Sequence, residues 1–187
     1  MSEFALALRP ALADAPRGDF GRQPTTLALT APATGHVILA LAEPAAGDLA
    51  ARLTVLAGGS ALAVRPAGLG QWLMIGADAL TPAAIAALEA GLDGAAVLVD
   101  QSHGRVRMAL AGPQIEPALA KGVGIDLALA ACPVGHTAQT LLGPIPVQMT
   151  RTEVDRFEFV VMRSFAVNLW GELITLAREF GVSADPA

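Results

Sequence analysis

The chain has no tyrosine, and Cys132 is its only cysteine. A lone thiol excludes an internal disulfide framework. Aromatic residues make up only 4% of the sequence, thin provision for stacking on bases. Positive charge is scarce: 12 Lys and Arg stand against 17 Asp and Glu, a net charge of −5. Nucleic-acid binding wants a basic excess, so the composition argues against that class. Only 16% of residues are charged, while 53% are hydrophobic. A disordered chain needs the opposite balance. At 187 residues the chain is long enough to bury a real core, as one large domain or two small ones.

Unbroken apolar runs are missing too. The mean hydropathy of +0.53 raises the question of a membrane. A spanning helix needs about 20 predominantly apolar residues. The longest uncharged stretches are residues 24–42 and 127–150. The first is broken by Pro32, Gly35 and His36, the second by Pro133, His136, Gln139, Gly143, Pro144 and Pro146, so neither sustains one apolar helix. Arg9 and Pro10 interrupt the opening apolar run, and no basic segment precedes it, so a secretory signal is not expected. The expectation is a soluble, cytoplasmic protein. Part of its apolar excess is alanine; the rest suggests a permanent partner.

What is present divides into three stretches. Residues 1–34 carry Pro10, Pro16, Gly18, Gly21, Pro24 and Pro32 without a lasting hydrophobic period, and read as an irregular arm. Residues 35–101 read as a first α+β unit. Strands are expected at 36–42, 60–65, 71–76 and 95–100. One helix follows Leu49, Leu53 and Leu56 to a stop at Gly58 and Gly59. A second opens at Thr81-Pro82, an N-cap and an N1 proline, and shows Ile85, Leu88 and Leu92 on one face. The order β-α-β-β-α-β is that of the split βαβ unit.

Residues 102–187 read as a second α+β unit. Residues 105–111 alternate Val106, Met108 and Leu110 with Arg105, Arg107 and Ala109, a half-buried strand with one basic face. A short helix is expected at 114–120, and strands at 137–142, 145–150 and 157–162. A final helix, capped by Ser164 and stopped by Gly181, shows Phe165, Leu169, Leu173, Leu176 and Phe180 in one stripe, widened by Trp170, Ile174 and Ala177. The fold class is therefore α+β, with two packed units of mixed or antiparallel sheet.

Chemistry-bearing patterns are few. Cys132-Pro133-Val134-Gly135-His136 puts a thiol near an imidazole, but a nucleophilic pair needs hydrogen-bond contact and an orienting group. A loop with Pro and Gly fixes no such geometry, so the reading is a small buried thiol beside a loop histidine. His36, His103 and His136 are scattered, without the short ligand spacings of a zinc site. Gly68-Leu69-Gly70 and Gly122-Val123-Gly124 do not open a helix straight after a strand, as phosphate cradles do. Asp100-Gln101-Ser102-His103-Gly104-Arg105 holds a carboxylate, a hydroxyl and an imidazole. Neighbouring strand residues point to opposite faces, so a strand-end turn with local hydrogen bonds is the expected role. No catalytic, cofactor-binding or metal-binding residue is assigned.

From about residue 70 to 181 the sequence resembles the gamma subunit of heterotetrameric sarcosine oxidase. The resemblance runs in order through Leu69-Gly70-Gln71-Trp72-Leu73, Asp100-Gln101-Ser102-His103-Gly104-Arg105, Gly112-Pro113, Lys121-Gly122 and Asp126-Leu127. It continues through Pro133-Val134-Gly135, Gln139-Thr140-Leu141-Leu142, Arg163-Ser164-Phe165-Ala166 and Leu169-Trp170. The Asp-x-Ser-His and Gly-Pro pieces are also similar to the folate-binding fold of the glycine-cleavage T-protein. That pattern carries paired acids where this chain has Gly143-Pro144-Ile145-Pro146-Val147-Gln148-Met149, with no carboxylate. Acid–base work on folate needs a titratable group within reach, so the departure counts against independent folate chemistry.

The resemblance implies a non-catalytic accessory subunit. FAD, FMN, NAD and tetrahydrofolate are then expected on the alpha, beta and delta partner subunits, which together demethylate sarcosine to glycine with formation of peroxide. Two alternatives stay open: a stand-alone tetrahydrofolate-binding protein of the T-protein type, and the equivalent subunit of an N-methylglutamate-type dehydrogenase. Arg and aromatic side chains favour interface centres, which makes Trp72, Arg105, Arg107, Arg163 and Trp170 the candidate partner contacts.

Overall fold

The computed structural model describes residues 9–32, 35–43, 48–58 and 62–186. Its strands and helices form two sheets. The smaller is built from β3 (His36–Leu41), β4 (Ala63–Gly68), β5 (Gln71–Gly76) and β6 (Val97–Asp100), with α1 (Leu49–Gly58) and α2 (Pro82–Ala90) between them in sequence. The spatial order is β4-β5-β3-β6 and every pairing is antiparallel. This is the split βαβ arrangement that the order of elements predicts. Thr81 caps α2, its hydroxyl accepting from the Ala84 amide at 3.2 Å, and Pro82 occupies the first turn, where its missing N–H costs nothing. Leu49, Leu53 and Ala57 of α1 and Leu88 of α2 pack with Ile38, Ala40 and Met74 into one core.

The larger sheet has seven strands in the order β1-β11-β2-β7-β10-β9-β8. They are β1 (Gly18–Phe20), β2 (Leu27–Ala31), β7 (Arg105–Ala111), β8 (Thr137–Leu142), β9 (Ile145–Glu153), β10 (Arg156–Met162) and β11 (Val182–Pro186). Among the described strands only β11 and β2 pair in parallel. The helices α3 (Ile115–Leu119) and α4 (Ala166–Ala177) belong to this half. Here the chain departs from a second copy of the first unit. The strands after α3 form a three-stranded meander, and the sheet recruits strands from both chain ends.

The irregular arm expected at residues 1–34 is therefore corrected over its described part. Leu27, Leu29 and Ala31 of β2 alternate inward between exposed Ala28 and Thr30, and β1 pairs with β11. Gly181 makes this closure possible. Its φ is +76°, and a Cβ there would stand 2.0 Å from the Arg22 carbonyl oxygen. The Thr26 and Leu27 amides both donate to its carbonyl, at 3.0 and 3.1 Å.

The last helix is shorter than its hydrophobic stripe suggests. Arg163–Phe165 form a 3-10 turn without a side-chain cap, so Ser164 does not cap α4, and Phe165 is exposed. Leu169, Trp170 and Leu173 of α4 press onto Met108, Leu110, Phe157 and Phe159 of the sheet, the centre of the main core. Trp170 is fully buried, and its indole N–H donates to the Pro16 carbonyl at 2.9 Å. Burying so large a side chain needs a partner for that N–H, and the N-terminal segment supplies it.

Candidate functional site

The two sheets are joined by a charged network in largely apolar strands. Glu158 of β10 lies between Arg65 of β4 and Arg107 of β7. Arg65 Nη1 donates to Glu158 Oε1 at 2.8 Å, while Arg107 donates through Nε and Nη2 to the two carboxylate oxygens, each at 3.2 Å. Arg107 also donates to the Gly76 carbonyl at 2.7 Å, reaching β5 of the smaller sheet. Gln148 adds a link, its amide N–H donating to the Pro66 carbonyl at 2.8 Å. Val37, Leu73, Ile75 and Val160 form an apolar seam alongside. Burial works against ionising Glu158, but the hydrogen bond from Arg107 and the charges of Arg65 and Arg107 outweigh it. They hold the carboxyl below its usual range.

Beside this network a cleft of about 460 Å³ opens where the sheets meet. β7 gives it Arg105, Val106 and Arg107; β3 gives Val37; Arg9, Leu12 and Arg163 stand around it. Arg163 donates to the Arg9 carbonyl, and Arg9 pairs with Asp14. Arg105 has no ion pair among the described residues, and its Nε is buried without a hydrogen bond. Desolvation pulls its pKa below the ordinary guanidinium value.

The Asp100-to-Arg105 segment is a structural turn. Asp100 Oδ1 accepts from the Ser102 amide at 2.8 Å, and the Gly104 and Arg105 amides both donate to the Gln101 carbonyl at 2.9 Å. Ser102 Oγ accepts from the Val37 amide at 3.1 Å, pinning the turn to β3. The imidazole nearest Asp100 is that of His36, 3.4 Å away, which itself accepts from the Leu80 amide at 2.7 Å. His103 is exposed. A serine nucleophile needs an imidazole between hydroxyl and carboxylate; here the carboxylate lies between the other two. Burial opposes the Asp100 charge, but Ser102 and His36 outweigh it, and its carboxyl is held below the usual range.

Cys132 is buried in the main core, while His136 is exposed on its loop. Among the described residues no cluster of three His, Cys, Asp or Glu side chains is placed to hold a metal ion. None of their helices is long and apolar enough to cross a membrane.

Of the five candidate contact residues, Arg105, Arg107 and Arg163 come together at the cleft. Trp72 is half-buried against the core of the smaller sheet. Trp170 offers no surface, so the structure removes it from the set. The sequence reading missed Glu158, Arg65 and Arg9. The available signal was Arg65 as the one charged side chain of β4 and Glu158 set between two phenylalanines in β10.

Among the solved structures that share this fold are the following two. A chain of the heterotetrameric sarcosine oxidase from Corynebacterium sp. U-96, in complex with pyrrole 2-carboxylate, matches with a TM-score of 0.72 at 21% identity, over 86% of this chain and 88% of that one. The glycine cleavage system aminomethyltransferase T from Bartonella henselae matches with a TM-score of 0.62 at 16% identity, over 86% of this chain but only 48% of that one. By fold, then, the protein is of the α+β class shared by a sarcosine oxidase chain and part of an aminomethyltransferase. No curated protein matches it. The sarcosine oxidase gamma subunit family matches residues 27–179, and the chain belongs to that family.

Proposed function

We propose that the chain is an accessory subunit of a heterotetrameric, cytoplasmic sarcosine oxidase, stabilising the complex without touching the substrate. Its partners are the alpha, beta and delta subunits, which carry FAD, FMN, NAD and tetrahydrofolate and perform the oxidative demethylation. The observation that carries this reading is the seam between the sheets. Arg65, Glu158, Arg107, Gln148 and the apolar cluster around Val160 tie the two halves to each other. The charged groups and the Gln148 amide N–H there are committed to internal bonds, as in a scaffold. The stretch 143–149 supplies no carboxylate for folate chemistry.

Co-expression tests the proposal. With the gene for this chain deleted, the remaining subunits should give less assembled complex and lower sarcosine turnover per cell. Normal assembly and normal turnover without it refute the assignment. Saturable tetrahydrofolate binding by the purified chain alone would instead favour a stand-alone folate protein.

A further inference from the structure

Among the described residues, Arg105 is a partly buried cation that the ion pairs around the cleft leave unpaired. Arg65 and Arg107 share Glu158, Arg151 holds Glu116, and Arg9 holds Asp14. Arg105 lies two residues before Arg107 on the same face of β7, yet among the described residues it has no counter-ion. A half-buried guanidinium without a counter-ion carries a desolvation cost. An arriving carboxylate offsets that cost, because its two oxygens accept two parallel hydrogen bonds from the guanidinium.

The setting suits such an arrival. Four of the chain's 12 Lys and Arg residues line the cleft, and among the described residues no Asp or Glu does. That local excess runs against the net charge of −5. The cleft walls are apolar at Leu12, Val37 and Val106. On either side of Arg163 in the chain, Met162, Phe165 and Val167 are each 42–45% exposed. An arginine centre beside exposed apolar side chains is the make-up of a protein docking site. A free metabolite would have no use for the flanking apolar strip.

We propose that this cleft receives an acidic side chain of a partner subunit, with Arg105 as its anchor. The proposal rests on the accessory-subunit reading and adds the place and the chemistry of the contact.

The test measures binding of the purified chain to the purified alpha, beta and delta subunits. Absence of binding by the wild-type chain refutes the accessory-subunit reading itself. Given wild-type binding, Arg105→Gln should raise Kd roughly 30-fold or more and flatten its dependence on salt. An unchanged Kd overturns the proposal and leaves the broader reading standing. The isolated Arg105→Gln chain should keep its far-UV circular dichroism and a Tm at or above wild type, because it loses an uncompensated charge. If it does not fold, the exposed Arg163→Gln carries the same test, with an expected Kd increase of about 3-fold or more. Acetate and glutarate are titrated into the isolated chain by NMR. Saturation of cleft resonances below about 1 mM marks a free-carboxylate site and overturns the docking proposal; weaker binding supports it.

Discussion

Replacing Glu158 with glutamine should be the most destabilising single change in the seam between the sheets. The side chains of Arg65, Arg107 and Glu158 are 10%, 16% and 12% exposed, so water screens them poorly. Glutamine keeps the volume but removes the charge, leaving two nearly buried guanidinium groups facing a neutral amide. Breaking a buried ion pair by removing one partner costs about 3–5 kcal/mol. For a chain of this length that lowers Tm by roughly 8–13 °C. Differential scanning calorimetry at pH 7 measures it. A matched control removes the exposed Lys121–Glu179 pair, 39% and 64% exposed, through Lys121→Gln. That change should cost about 0.5 kcal/mol, a degree or two.

The pH dependence gives an independent check on the same residue. The folded-state pKa of Glu158 lies below its ordinary value of 4.5. A depressed carboxyl stabilises the fold above the unfolded pKa and loses that contribution as pH falls through the folded pKa. The gap in Tm between wild type and Glu158→Gln should therefore hold from neutral pH down to about 4.5 and narrow below it. A shift under about 2 °C at pH 7, or a gap that widens in acid, would refute the reasoning.

Three further outcomes follow from the packing. Trp170→Ala should cost about 3–5 kcal/mol, because it empties the centre of the main core and strands the Pro16 carbonyl; urea unfolding measures it. Gly181→Ala should destabilise by at least about 1 kcal/mol, since its new Cβ meets backbone rather than a movable side chain; thermal melts check this. Cys132→Ala should leave sarcosine turnover of the assembled complex unchanged while lowering Tm slightly. A loss of turnover with assembly intact would contradict the structural role given to this buried thiol.

The smaller sheet was legible because each of its elements carries its own signal. Thr81-Pro82 announces α2, and β3 and β5 are short apolar runs bounded by turn residues. β2 and β11 were hidden for a different reason. Each alternates over only five residues, and prolines flank or end them, so composition outweighed periodicity. Their pairing is parallel across some 150 residues of chain, a contact that local pattern does not reveal. The end of α4 was overread because Phe165 and Phe180 continue its stripe in sequence, although the helix proper spans Ala166–Ala177.

The site divides in the same way. The basic face of β7 was visible from the alternation of Arg105 and Arg107 with Val106 and Met108. Glu158 was not, because a carboxylate between Phe157 and Phe159 reads as the solvent side of a half-buried strand. Only the packing of the second sheet turns that side inward and brings Arg65 to it. Trp170 in the apolar stripe of the last helix reads as core before interface anchor, and its placement on the sheet makes it core.

The most direct test of the accessory role is reconstitution from separately purified subunits, followed by native mass spectrometry and absorbance. Incorporation of this chain into the assembled oxidase, with flavin absorbance and sarcosine turnover residing entirely in the fractions that contain its partners, is the predicted result. A bound flavin or measurable amine demethylation in the chain by itself would contradict the account.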